Sequence, residues 1–107
     1  MKTSLLVAGV GGILLSAQAL AATYGDACPS CTGTPQGASW YAAATNIAIT
    51  YNAQENDFIE VCRDNGSGTA VVARYVVVQD PVTSASDLQW IQTQGNVGVT
   101  CADLGYA

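Results

Sequence analysis

All four cysteines of this chain lie beyond a segment built like an export signal, and that arrangement limits the fold more than any other feature. Met1-Lys2-Thr3 is a short positive start. Residues 5–15 (LLVAGVGGILL) form an apolar core, and residues 16–21 (SAQALA) offer small residues at Ala19 and Ala21 for cleavage. The apolar run is shorter than the ~20 residues a bilayer span needs. The expectation is therefore a cleaved secretory signal at 1–21 and no membrane span in the mature chain. The destination is secreted, periplasmic or cell-surface, where thiols oxidise to disulfides.

Cleavage there leaves 86 of the 107 residues, enough for one small domain. At roughly 0.05–0.15 kcal/mol per residue its net stability is about 4–13 kcal/mol. Cross-links at about 2–4 kcal/mol each are a large share of that. The expected organisation is a Cys/Gly/Pro-rich irregular arm over 22–39, bound by cysteines to a β-rich domain over 40–107.

Four cysteines allow three pairings. Loop-closure entropy gives about 2 kcal/mol for a Cys28–Cys31 bridge and about 4 for Cys62–Cys101. The two pairings that split Cys28 and Cys31 between Cys62 and Cys101 reach about 8 in total. That sum favours a split pairing, with each bridge tying the arm to the sheet.

Period-two patterning supplies most of the strands. Residues 40–52 (WYAAATNIAITYN) alternate, with Thr45, Ile47, Ile49 and Thr50 β-branched, which predicts a strand. A helix is the rival, since Trp40, Ala43, Ala44, Ile47 and Tyr51 also share helical spacing. Residues 58–63 (FIEVCR) read as a short strand, with Phe58, Glu60 and Cys62 on one face and Ile59, Val61 and Arg63 on the other. Residues 64–68 (DNGSG) are a turn. Residues 69–79 (TAVVARYVVVQ), apolar on both faces apart from Arg74, read as a central strand ended by Asp80-Pro81. Over 84–94 a helix capped by Ser84 or Ser86 competes with a strand at 88–93. The strand is preferred, paired through Gln94-Gly95-Asn96 with residues 97–101. The predicted fold is a mainly β, small single-domain antiparallel sheet or sandwich of four to five strands.

Composition excludes several chemistries. There is no histidine, and Lys2 leaves with the signal. Ser-His-Asp, Cys-His, Schiff-base and histidine-metal sites are thus absent. Two arginines face eight carboxylates, so phosphate backbones are repelled and nucleic acid is not an expected partner. Glu55, Asp57, Glu60 and Asp64 cluster in sequence but sit on a turn and short strand, and read as solvated acids. Residues 64–68 lack the spacing of a calcium loop. Asn65-Gly66-Ser67 fits a glycosylation sequon. A zinc ribbon needs a second C-x2-C knuckle, which is missing. Cys28-Pro29-Ser30-Cys31 could be a redox dithiol. Such a site wants a strand before it and a helix starting at it. No buried strand is expected before Cys28, and Gly33, Pro35 and Gly37 interrupt a following helix. No metal or cofactor is expected.

The function expected is that of a non-catalytic exported protein. A structural or assembly role rests on the low charge and the strand at 69–79, with Val72, Arg74, Val76 and Val78 as the candidate assembly strand. A monomeric binding module, inhibitor or effector is the alternative, with Trp40 and Trp90 as candidate binding aromatics. A thiol–disulfide oxidoreductase at Cys28 and Cys31 comes third. The expected partner is a second copy of the chain, or another extracellular protein or glycan.

Overall fold

The computed structural model describes residues 20–79 and 86–107. Residues 1–19 of the signal expected over 1–21, the Asp80-Pro81 stop and Ser84 lie outside them. The described chain is mainly β: a four-stranded mixed sheet, one helix and two disulfides. In chain order the elements are β1 (Thr23–Ala27), α1 (Ala38–Thr50), β2 (Phe58–Asn65), β3 (Thr69–Gln79) and β4 (Ser86–Val97). The sheet order follows the chain, β1-β2-β3-β4. β1 runs parallel to β2, from Thr23 opposite Phe58 to Ala27 opposite Cys62. The other neighbours are antiparallel.

A parallel pair needs a crossover, and α1 supplies it. This corrects the strand expected over 40–52. Five alanines in thirteen residues carry high helix propensity, and Trp40, Ala44 and Ile47 (spacing i, i+4, i+7) form the buried stripe. The β-branched residues that suggested a strand sit mostly on the open side; Ile49 is 72% exposed. Asn52 ends the helix in the left-handed region at φ 53°. Its N–H reaches the Ile49 carbonyl and that of Ala53 reaches Ala48, which is the Schellman arrangement.

The arm is not wholly irregular, since β1 occupies its start. Gly25 in β1 lies beneath the Tyr106 ring. A Cβ there would stand 2.6 Å from Tyr106 Cε1, so the close approach requires glycine.

β2 and β3 match the predicted strands, and β3 is central, with neighbours on both sides. β4 differs from the expected hairpin. Gln94, Gly95 and Asn96 continue the strand opposite Val72, Val71 and Ala70. The turn comes later, at Gly98 with φ 82°. Pairing along all of β3 satisfies more backbone groups than a short local hairpin. A register shift lies opposite Arg74/Tyr75, which places a bulge at Ile91.

Two cores flank the sheet. On the helix side, Cys31, Trp40, Ala44, Ile47, Ile59, Val61, Ala73, Tyr75 and Val77 are buried together. On the other side, Cys62, Ala70, Val72 and Cys101 are buried under the C-terminal turns with Ala27, Val99 and Tyr106. Those turns are held by a reciprocal pair: the Thr100 N–H donates to Asp103 Oδ2 and the Asp103 N–H to Thr100 Oγ1, both at 3.0 Å.

The disulfides are Cys28–Cys31 and Cys62–Cys101, which corrects the preferred split pairing. Loop entropy ignores the sheet. Cys31 belongs to the helix-side core, whereas Cys62 and Cys101 belong to the opposite one. A bridge between these two sets would have to pass through the sheet.

Candidate functional site

β4 forms one edge of the sheet, and among the described residues no strand pairs with its outer side. Residues 88–97 (LQWIQTQGNV) carry no charge and no proline. The Gly98 N–H points inward to the Gly68 carbonyl at 2.8 Å. Strand alternation then turns Asn96, Gln94 and Gln92 toward β3, opposite Ala70, Val72 and Arg74. The peptide groups of Val97, Gly95 and Thr93 face outward. On the sheet face away from α1, β4 presents Gln89, Gln92, Gln94 and Asn96, opposite Val76, Arg74, Val72 and Ala70 of β3. The opposite edge is shorter and blunted. β1 has five residues, and the Ala27 N–H is taken by the Ala107 carbonyl at 3.0 Å.

The structure separates the residues proposed from sequence. Val72, Arg74, Val76 and Val78 share the sheet face away from the helix, but they sit on central β3, where no backbone edge is free. The strand with an unpaired edge is β4, not β3. Arg74 is committed to Glu60 at 3.1 Å, with its guanidinium 4.1 Å from the Phe58 ring centre. Trp40 is wholly buried, so it has no face to offer a ligand. Its ring packs under the Arg63 guanidinium at 4.9 Å. Trp90 is 37% exposed on edge strand β4, with its indole N–H donating to Thr93 Oγ1 at 3.0 Å. Ile91 beside it is 41% exposed. The signal that could have found this site was the charge-free run at 88–97, read above as two short strands and a turn.

A groove of about 440 Å³ separates α1 from the β3–β4 side of the sheet. Tyr41, Thr45 and Ile49 wall it, and Val77 and Leu88 floor it. The Tyr41 hydroxyl closes one end by donating to Asp87 and accepting from the Leu88 N–H. The Asp87 hydrogen bond, helped by burial, raises the Tyr41 pKa above the ordinary 10.0.

Cys28 and Cys31 follow directly on β1, an edge strand with no buried residue, so the buried strand that a redox site wants is not there. α1 starts seven residues after Cys31, beyond Gly33, Pro35 and Gly37. Cys31 is 3% exposed, while Cys28 is half-buried and lines a second groove of about 250 Å³.

The clustered acids have separate structural tasks. Asp57 is 8% exposed and accepts the N–H groups of Ala22 at 3.0 Å and Gln54 at 2.8 Å. Glu60 accepts from Arg74 and, at 2.5 Å, from the Tyr106 hydroxyl. Asp64 accepts the Cys101 N–H at 2.7 Å. Among the described residues, no three His, Cys, Asp or Glu side chains converge on a common point that could hold a metal. Compared with family models, curated proteins and solved structures, the chain matches none.

Proposed function

We propose that the protein is an exported, non-catalytic structural or assembly protein that joins to a second copy of itself through the outer edge of β4. The observation that carries this reading is a twelve-residue edge strand with an uncharged, proline-free run over 88–97. Edge strands of soluble proteins are usually short, charged or covered, because unpaired N–H and C=O groups template pairing. The β1 edge is protected in this way, and β4 carries only its bulge. Antiparallel pairing of β4 with β4 is isologous and closes at a dimer with one continuous eight-stranded sheet. Gln89, Gln92, Gln94 and Asn96 would then meet their counterparts across the join, where amide side chains hydrogen-bond well. The two disulfides fit the oxidising compartment that export implies.

Light scattering on the oxidised, signal-free chain across a concentration series tests this. The parent is expected to pass from monomer to dimer. Thr93→Pro, which removes an outward N–H and spares the ladder to β3, is expected to remain monomeric and folded, whereas Thr93→Val, which loses the same Trp90 hydrogen bond but keeps the N–H, still dimerises. A parent that stays monomeric at all concentrations overturns the reading.

The groove beneath Tyr41 supports a second reading, a monomeric module that takes an apolar side chain or small apolar ligand. Saturable uptake of an apolar fluorescent dye, lost in Ala48→Leu, is its expected signature; no uptake by the parent refutes it.

A further inference from the structure

The two disulfides close loops of very different length. Cys62–Cys101 closes a long loop, with a sequence separation of 39, and anchors the C-terminal turns. Cys28–Cys31 closes a separation of only 3. The ends of that small loop are already fixed without the sulfurs. The Cys28 N–H donates to the Cys62 carbonyl at 2.7 Å, extending the β1–β2 ladder. The Cys31 N–H donates to the Cys28 carbonyl at 3.2 Å, and Arg63 Nη1 donates to the Cys31 carbonyl at 3.0 Å. Opening the bridge therefore frees little backbone.

The surroundings of the two sulfurs are asymmetric. Cys28 lines a groove of about 250 Å³ between residues 26–30 and α1, with Ala43, Asn46, Ile47 and Thr50 on the helix side. Ser30 Oγ stands 3.8 Å from Cys28 Sγ. Cys31 is buried, with its Sγ 3.7 Å from the Ser39 carbonyl oxygen in the first turn of α1. That contact is to an acceptor oxygen, so the positive charge beside Cys31 comes from Arg63 of β2, whose Nη1 donates to the Cys31 and Gly33 carbonyls at 3.0 and 3.4 Å.

From this geometry we infer that Cys28–Cys31 is an exchangeable disulfide that accepts two electrons from a non-anionic thiol entering along the 26–30 groove. The incoming thiolate attacks Cys28 Sγ. A new S–S bond forms there, the Cys28–Cys31 bond breaks, and its electron pair leaves on Cys31. The Arg63 charge, held at the Cys31 carbonyl, favours that thiolate until water protonates it; a stabilised leaving thiolate departs faster. A second thiol then attacks the mixed disulfide and releases Cys28. In sum two thiols are oxidised to one disulfide and the bridge is reduced to two thiols. Asp26 on the groove rim and the net negative chain disfavour anionic thiols.

The test is graded reduction of the oxidised, signal-free protein, with alkylation and mass mapping of each cysteine and circular dichroism on the same samples. The expected result is reduction of Cys28 and Cys31 while Cys62–Cys101 stays closed and the fold persists. Cysteamine, compared with glutathione at equal thiolate concentration, is expected to react faster, by a ratio that shrinks with salt. Arg63→Gln is expected to slow attack on the order of 3-fold, and Arg63→Lys to restore the rate. Simultaneous opening of both bridges as the chain unfolds, or first adducts at Cys31, overturns the inference. So does an Arg63→Gln rate equal to the parent's. None of these outcomes depends on dimer formation.

Discussion

Replacing Gly25 with alanine tests how the C-terminal turns are docked. In β1, Gly25 pairs with Glu60 of β2, and the Tyr106 ring crosses the space a side chain would fill. The new Cβ would stand 2.6 Å from Tyr106 Cε1, 3.0 Å from Cδ1 and 3.1 Å from the Glu60 carbonyl oxygen. The ring yields more readily than the sheet backbone, since a side chain rotates without breaking the β1–β2 ladder. Swinging it out breaks the 2.5 Å hydrogen bond from the Tyr106 hydroxyl to Glu60. A hydrogen bond to a charged group contributes about 1.5–3 kcal/mol. Removing a strand glycine returns roughly 0.5–1 kcal/mol. The net loss is about 1–2 kcal/mol, or a fall in Tm of roughly 4–16 °C for a domain this size. Thermal and urea unfolding of four proteins measures it: parent, Gly25→Ala, Tyr106→Ala and the double variant. With the ring gone, the alanine meets only the Glu60 carbonyl, so its cost should drop below about 0.5 kcal/mol and the coupling should match the net loss. Coupling within error of zero would refute the claim that Tyr106 is what requires glycine at this position.

Three further outcomes are expected. Replacing Cys62 and Cys101 together by alanine should cost about 4 kcal/mol in urea unfolding, against about 2 for Cys28 and Cys31, from the closed loop lengths alone; equal costs would contradict the loop argument. Asp57→Ala leaves the Ala22 and Gln54 N–H groups without their acceptor and should lose about 2–4 kcal/mol, with Asp57→Asn recovering part of it, both read by urea midpoints. Alkaline pH should unfold the chain. Burial and the Glu60 hydrogen bond push the Tyr106 pKa well above 10.0, and Tyr41 and Tyr75 are raised as well. A raised folded value contributes stability that is complete below about pH 10 and lost as pH rises through the folded values. Urea midpoints should hold from pH 8 to 9 and fall above 10, less steeply in Tyr106→Phe; a flat profile would show that the phenols are not protected.

Much of the sheet was legible from local pattern, because a strand with one buried face prints that face at period two. The opposed faces of Phe58, Glu60 and Cys62 against Ile59, Val61 and Arg63 follow from alternation, and the central position of the run at 69–79 from its being apolar on both faces. Local pattern failed where two periods fit the same residues. Residues 40–52 satisfy both a strand and a helix, and the choice depends on β1 lying parallel to β2, which calls for a crossover that only a distant pairing reveals. The candidate site failed for a related reason. Low charge pointed to pairing, but which strand has a free edge is a property of sheet order. The same run of residues is harmless in the middle of a sheet and adhesive at its margin.

By itself the sequence determined that this is a small chain with too little core to neglect its cysteines, with β-rich patterning and without the histidines of common catalytic sites. Those are consequences of composition and spacing, which need no partner in space. The tertiary structure decided which cysteines meet, because the sheet keeps Cys31 on one face and Cys62 with Cys101 on the other. It also buried Trp40 while leaving Trp90 at the edge, and it left Cys28 beside a groove with Cys31 buried behind it. Burial and edge position depend on which distant segments pack together, and the local order of residues carries no record of that.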